Sequence, residues 1–152
     1  MRRIHTILTE RGRTVAVAES CTGGLISASL TAQPGSSAFF LRGIIAYSNQ
    51  SKEELLGIPR SLLRKAGAVS DTVARKMAQN IREQAGADRG IGVTGIAGPS
   101  GGTKDKPVGT VYIAVSSPDK TVCKRFSFRG TRRRIRQEAA RRSLVMLRNS
   151  CK

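Results

Sequence analysis

Tryptophan is absent from the 152 residues, histidine occurs once, and only two tyrosines and four phenylalanines are present. So few aromatic side chains argue against a platform that stacks nucleic-acid bases. The single histidine, His5, falls in a basic N-terminal segment and reads there as an ordinary surface or boundary residue. Its isolation removes the His-based Ser and Cys triads, and with them the zinc enzymes that need two imidazole ligands. Cys21, Cys123 and Cys151 are odd in number and far apart, with no CxxC pair. A disulfide framework and a structural zinc site are therefore not expected, and no metal or cofactor is implied. Long apolar runs are missing too. The longest, around Phe39-Phe40-Leu41 and Gly43 to Ala46, fall far short of the roughly 18 residues of a membrane span. The N-terminal MRRIHTILTERGR contains Glu10 and no apolar h-region, so it reads as an amphipathic helix and not a signal peptide. A cytoplasmic protein without membrane contact is the expectation.

Acidic residues are the remaining scarcity: 10 Asp/Glu stand against 27 Lys/Arg, a net charge of +17 at pH 7. The excess is uneven, because residues 120–152 hold 12 Lys/Arg and one Glu. Such a segment favours phosphate-bearing partners, either small nucleotides or, non-specifically, nucleic acid through a basic last helix. It is equally consistent with a solvated helix face.

What is present reads as one domain, 1–152, since domains most often run to roughly 100–150 residues. Residues 2–11 carry Ile4, Ile7 and Leu8 at helical spacing and stop at Gly12. TVAVAE at 14–19 is a short buried strand, and a helical pattern runs from Thr22 to Ala32. FFLRGIIAYS at 39–48 is a second strand, followed by short helices at 49–56 and from Pro59 to near Gly67. Ser70 caps a long helix to Ala85 with Val73, Met77 and Ile81 on one face. A glycine-bearing strand at 90–94 leads into a glycine-rich loop at 95–107, long enough to imply a function. Two alternating runs, 108–116 and 121–128, are joined through Pro118-Asp119-Lys120, and Thr131 caps an Arg-rich helix to about Arg148. This order predicts an α/β class: a three-layer α/β/α domain with a mixed, mostly parallel sheet and a C-terminal hairpin plus helix.

Four segments can carry chemistry. The first, Ala18 to Gly24, lies at the carboxyl end of a strand, where ligands of open α/β sheets bind. Ser20 and Thr22 supply hydroxyls there, Gly23 and Gly24 admit a close ligand, and the helix N-terminus favours an anion. The same residues would also serve simply as a cap and a tight packing contact. In the second, Tyr47-Ser48-Asn49-Gln50-Ser51-Lys52, a desolvated lysine can replace histidine as the base for a serine, and a tyrosine can relay the proton. Lys52 and Tyr47 would equally suit the surface. The third, Thr94 to Gly102, is no Walker A loop, since no Gly-Lys-Ser/Thr follows; its backbone N–H groups can still bind an anion. The fourth places Arg132 and Arg136 four apart at the start of the last helix, as paired guanidinium forks suited to phosphate.

AES-x-TGG at 18–24, YSN-xx-K at 47–52, GAVS at 67–70, TGIAGP-x-GG at 94–102, KPVGTVY at 106–112 and G-x-R-xxx-R at 130–136 run in order along nearly the whole chain. Together they resemble the C-terminal domain of CinA and its stand-alone relatives, the nicotinamide-nucleotide amidohydrolases (PncC-type deamidases). The resemblance implies hydrolysis of the carboxamide of nicotinamide mononucleotide to nicotinate mononucleotide and ammonia, without metal or cofactor. It makes Ser20 the nucleophile, activated by Lys52 and Tyr47, with Thr94 assisting at the amide. Thr22, Gly23, Gly24, Asn49, Gly95 and Gly98 would line the substrate site, and Arg132 and Arg136 would hold the phosphate. A homo-oligomer, in the form of a dimer, is the expected assembly. Where the family pattern has an acidic residue after Gly130, this chain has Thr131. The expected form is the free-standing deamidase; the alternative is a member without turnover that binds nucleic acid through its basic helix.

Overall fold

The computed structural model describes residues 2–151. One five-stranded sheet, in the order β2-β1-β3-β4-β5, runs through it. β1 (Val15–Glu19) is flanked in parallel by β2 (Phe40–Ile45) and β3 (Arg89–Gly95). β4 (Thr110–Ser116) and β5 (Thr121–Ser127) continue from β3 as an antiparallel hairpin. The sheet is thus mixed, with its parallel half around β1 and its antiparallel half at the C-terminal hairpin.

Period-two alternation along β1 divides the two faces. Val15 and Val17 enter a core with α1 (Arg2–Glu10), α2 (Leu25–Thr31) and α6 (Arg132–Ser150), where they meet Leu8, Ile26, Leu30, Ile135 and Leu147. Ala16 and Ala18 face the opposite layer, with Leu56 from α3 (Asn49–Leu56), Leu63 from α4 (Arg60–Ala66), and Val73, Met77 and Ile81 from α5 (Asp71–Ala85). Where β1 and β3 pass under α5 they present alanine and glycine: Ala16, Ala18, Gly90 and Gly92. A Cβ on Gly92 would lie 2.4 Å from the Ala74 carbonyl oxygen, so the glycines of β3 are what let the helix backbone rest against the strand.

Several boundaries follow their local chemistry. Ser70 accepts from the Val73 amide and opens α5, and Thr131 accepts from the Arg134 amide and opens α6. α2 departs from expectation, because it starts at Leu25 and not Thr22. Residues 22–24 form a turn, with Gly23 and Gly24 at φ of 57° and 95°, a left-handed path open to glycine. Neither Ser20 nor Thr22 caps the helix. The carboxylate of Glu19 does so instead, accepting from the amides of Gly24, Ile26 and Ser27 and from the Ser27 hydroxyl. His5, expected at the surface or boundary, is buried, its ring edge-on to Phe39 at 4.9 Å.

Candidate active site

The parallel strands end together. The amide of Ser20 donates to the Val93 carbonyl, and the amide of Ala46 donates to the Glu19 carbonyl. Three segments therefore leave the sheet side by side: Ser20 after β1, Ala46-Tyr47 after β2, and Thr94-Gly95 at the end of β3. α2 follows β1 on one face, while α3 to α5 precede β3 on the other. The crevice opens where the chain switches faces. A cavity of about 250 Å³ lies there, and Ser20, Lys52, Tyr47, Thr94, Gly98 and Arg132 are among the residues lining it.

Lys52 is the unusual member. Only 1% of it is exposed, although it is a lysine on a two-turn helix. Its Nζ donates to the carbonyls of Ala46 and Tyr47 at 2.9 and 3.0 Å and lies 3.2 Å from Ser20 Oγ. Burial disfavours the ammonium and lowers the Lys52 pKa below the usual 10.5, with the neighbouring Cys21 acting weakly in the other direction. The Cys21 thiol also lines the cavity, but burial pushes its pKa up to about 11. The protonated thiol is thus favoured at Cys21, and the hydroxyl beside the buried lysine amine is that of Ser20.

Thr94 is buried, and its hydroxyl donates to the Ala68 carbonyl at 2.8 Å. Gly95 and Gly98 contribute backbone to the wall, with a cis Gly98-Pro99 bond in the loop. Tyr47 is 57% exposed. Its carbonyl serves Lys52, whereas its phenol oxygen accepts from Arg132 Nη2 at 2.7 Å. Arg132 Nη1 donates to the Gly98 carbonyl at 2.7 Å, so the guanidinium bridges the β2–α3 segment and the glycine-rich loop.

Other expected site residues lie elsewhere. Arg136 stands behind the Ser20 turn, with Nε and Nη2 donating to the carbonyls of Cys21 and Thr22 at 3.0 and 2.9 Å. Gly23 and Gly24 shape that turn and do not line the cavity; a Cβ on Gly23 would come within 2.9 Å of Arg136 Nη2. Thr22 is fully buried, and its hydroxyl has no partner among the described residues. Asn49 lines a different cleft, of about 520 Å³, with Glu53, Arg60 and Arg64. The expected anion site at the start of α2 is already filled by the Glu19 carboxylate. Sequence reasoning also gave no role to Glu19, whose signal was an acidic residue ending an otherwise apolar strand. Ala68 and Val69 belong to the wall through the GAVS segment.

A three-layer α/β/α domain with a serine and a buried lysine at the carboxyl ends of its parallel strands is a defined structural class. Residues 1–151 match the model of the CinA C-terminal domain, and the chain belongs to that family. Among its relatives, a CinA-like protein of Desulfotalea psychrophila is 54% identical over 141 residues, covering 93% of this chain and 34% of that protein. A CinA-like protein of Anaeromyxobacter is 51% identical over 141 residues, covering 93% of this chain and 35% of that one. The chain thus spans about a third of the length of these curated relatives. The crystal structure of a competence/damage inducible protein from Agrobacterium tumefaciens superposes with a TM-score of 0.93 at 40% identity, over 96% of this chain and 90% of that one. A CinA superfamily protein from Klebsiella pneumoniae gives 0.94 at 33% identity, over 98% and 93%.

Proposed function

We propose that this domain hydrolyses the carboxamide of nicotinamide mononucleotide, with Ser20 as nucleophile and Lys52 as its base. The observation that carries the reading is the 3.2 Å approach of a buried, pKa-lowered lysine amine to the Ser20 hydroxyl. A neutral amine has two N–H donors and one lone pair. Once the amine is neutral, the Ala46 and Tyr47 carbonyls take the two donors, the Ser48 carbonyl lies further off at 3.5 Å, and the lone pair is left to accept the Ser20 hydroxyl proton.

In the acylation step, Ser20 Oγ forms a bond to the carboxamide carbon as its proton passes to Lys52 Nζ. The resulting ammonium gives that proton to the amide nitrogen, the C–N bond breaks, and ammonia leaves. Water then adds to the ester with Lys52 again taking a proton, and the Ser20 oxygen departs protonated to leave the carboxylate. Thr94 has committed its O–H to Ala68, so its oxygen is free to accept an N–H of the substrate amide. Arg132, at the exposed side of the cavity, is the cation for the nucleotide phosphate. Ammonia release from nicotinamide mononucleotide, compared between the native protein and Ser20→Ala, tests the reading. Activity within about tenfold in the variant, roughly 1.4 kcal/mol of barrier, would remove Ser20 from the role.

A further inference from the structure

The phenol of Tyr47 lines the cavity, and the reaction above leaves it without work. As part of a serine–lysine site it would be expected to move the Ser20 proton. The contacts point elsewhere. Lys52 Nζ meets the Tyr47 main-chain carbonyl, and no hydrogen bond links the phenol to Ser20 or Lys52 among the described residues. The ring stands half out of the molecule while Ser20, Lys52 and Thr94 are buried. Its hydroxyl oxygen already accepts from Arg132. An oxygen that accepts from a guanidinium keeps its own O–H as a donor, directed away from that partner.

Resting on the amidohydrolase reading, we infer that Tyr47 and Arg132 form one anion-binding subsite at the rim of the Ser20 cavity. There the phenol O–H and the guanidinium both donate to the substrate's 5′-phosphomonoester. Three features suit that ligand. The two groups come from different segments and are already held together at 2.7 Å, so little ordering is needed on binding. Arg132 is anchored by Nη1 on the Gly98 carbonyl, which fixes the guanidinium while leaving it further N–H donors. The pair lines the same cavity as the Ser20–Lys52 couple, on its exposed side, where the charged end of a nucleotide would stay while its amide went inward. Tyr47 is thereby a residue of substrate recognition and not of proton transfer.

The test is Tyr47→Phe, which keeps the ring and removes the O–H, assayed with nicotinamide mononucleotide and with its dephosphorylated riboside. Loss of one hydrogen bond to a charged group predicts a KM for the mononucleotide raised about tenfold. kcat/KM for the riboside should fall no more than about twofold. A kcat reduced about a hundredfold or more on both substrates would overturn the inference and return Tyr47 to proton transfer. Calorimetry with inorganic phosphate gives a readout that needs no turnover. Weaker phosphate binding in both Tyr47→Phe and Arg132→Ala supports the subsite even if the native protein releases no ammonia. Unchanged binding in Tyr47→Phe contradicts it, whatever the enzyme does.

Discussion

Lys52 Nζ is surrounded by the oxygens of Ala46, Tyr47 and Ser20, with the Ser48 carbonyl at 3.5 Å, and it is burial that favours its neutral amine. Two consequences can be measured. kcat/KM should rise with pH through the lowered Lys52 pKa and level off above it, in a window below 10.5. Lys52→Arg, cationic at every accessible pH, should lose at least about a thousandfold. A pH-independent profile in the native enzyme would contradict a lysine base. The second consequence concerns stability. Because the folded state holds this proton less tightly than the unfolded chain, the unfolded state binds more protons between the lowered value and 10.5. Stability from this group therefore increases as pH rises through that window and is lost as pH falls. Lys52→Met lacks the effect, so any stability advantage it holds over the native protein should shrink as pH approaches 10. Urea unfolding at several pH values checks the sign.

At the scale of elements, the turn after β1 is gripped from both sides. Glu19 takes the amides that open α2, and Arg136 of α6 takes the carbonyls of Cys21 and Thr22. Ser20 sits between them. Arg136→Ala should accordingly lower kcat by about tenfold to a hundredfold, as expected when a nucleophile is misplaced by an ångström or less. The loss should be equal for the mononucleotide and the riboside. A rise in KM confined to the mononucleotide would instead make Arg136 a phosphate ligand, as the sequence resemblance implied. β3 and α5 carry a second prediction. A Cβ on Gly92 would meet the Ala74 carbonyl oxygen and the Ala78 amide nitrogen, at 2.4 and 2.5 Å. Gly92→Ala should thus destabilise by roughly 1–3 kcal/mol in urea unfolding, the cost of overpacking. The elements themselves were readable wherever a local signal was complete, as with Ser70 opening α5 and Thr131 opening α6. The start of α2 was not, because its cap is a carboxylate from the preceding strand. Nor was the split between Arg132 and Arg136. Their four-residue spacing puts them on one helix face, but only the tertiary fold sends one to the cavity and the other behind the turn.

Taken as a whole, the molecule carries 27 Lys/Arg. Among the described residues four ion pairs are formed: Arg13–Asp88, Arg75–Asp71, Arg82–Glu83 and Arg141–Glu138. Self-repulsion then outweighs pairing, so the melting temperature should increase as sodium chloride is raised toward about 0.15 M, where the Debye length falls to about 8 Å. A decrease would mean that surface pairs dominate after all. No helix among the described residues is long and apolar enough to cross a membrane. The charge excess was plain from composition, and the alternation of elements pointed to a three-layer α/β/α domain with a mixed sheet, whereas the strand order β2-β1-β3-β4-β5 emerged only in the fold. What composition left open was whether the basic C-terminal helix serves a site or a diffuse field; Arg132 and Arg136, at its first turn, are committed to the Ser20 region.

Covalent chemistry at Ser20 leaves an acyl group that mass spectrometry can detect. The protein is mixed with nicotinamide mononucleotide, quenched in acid during turnover, digested and weighed by mass spectrometry. The peptide containing Ser20 should gain the mass of the nicotinate mononucleotide acyl group. That species should accumulate in step with the first ammonia released and be missing from Ser20→Ala. Ammonia released at the native rate by Ser20→Ala, or an acyl group found on another residue, would contradict Ser20 as the nucleophile.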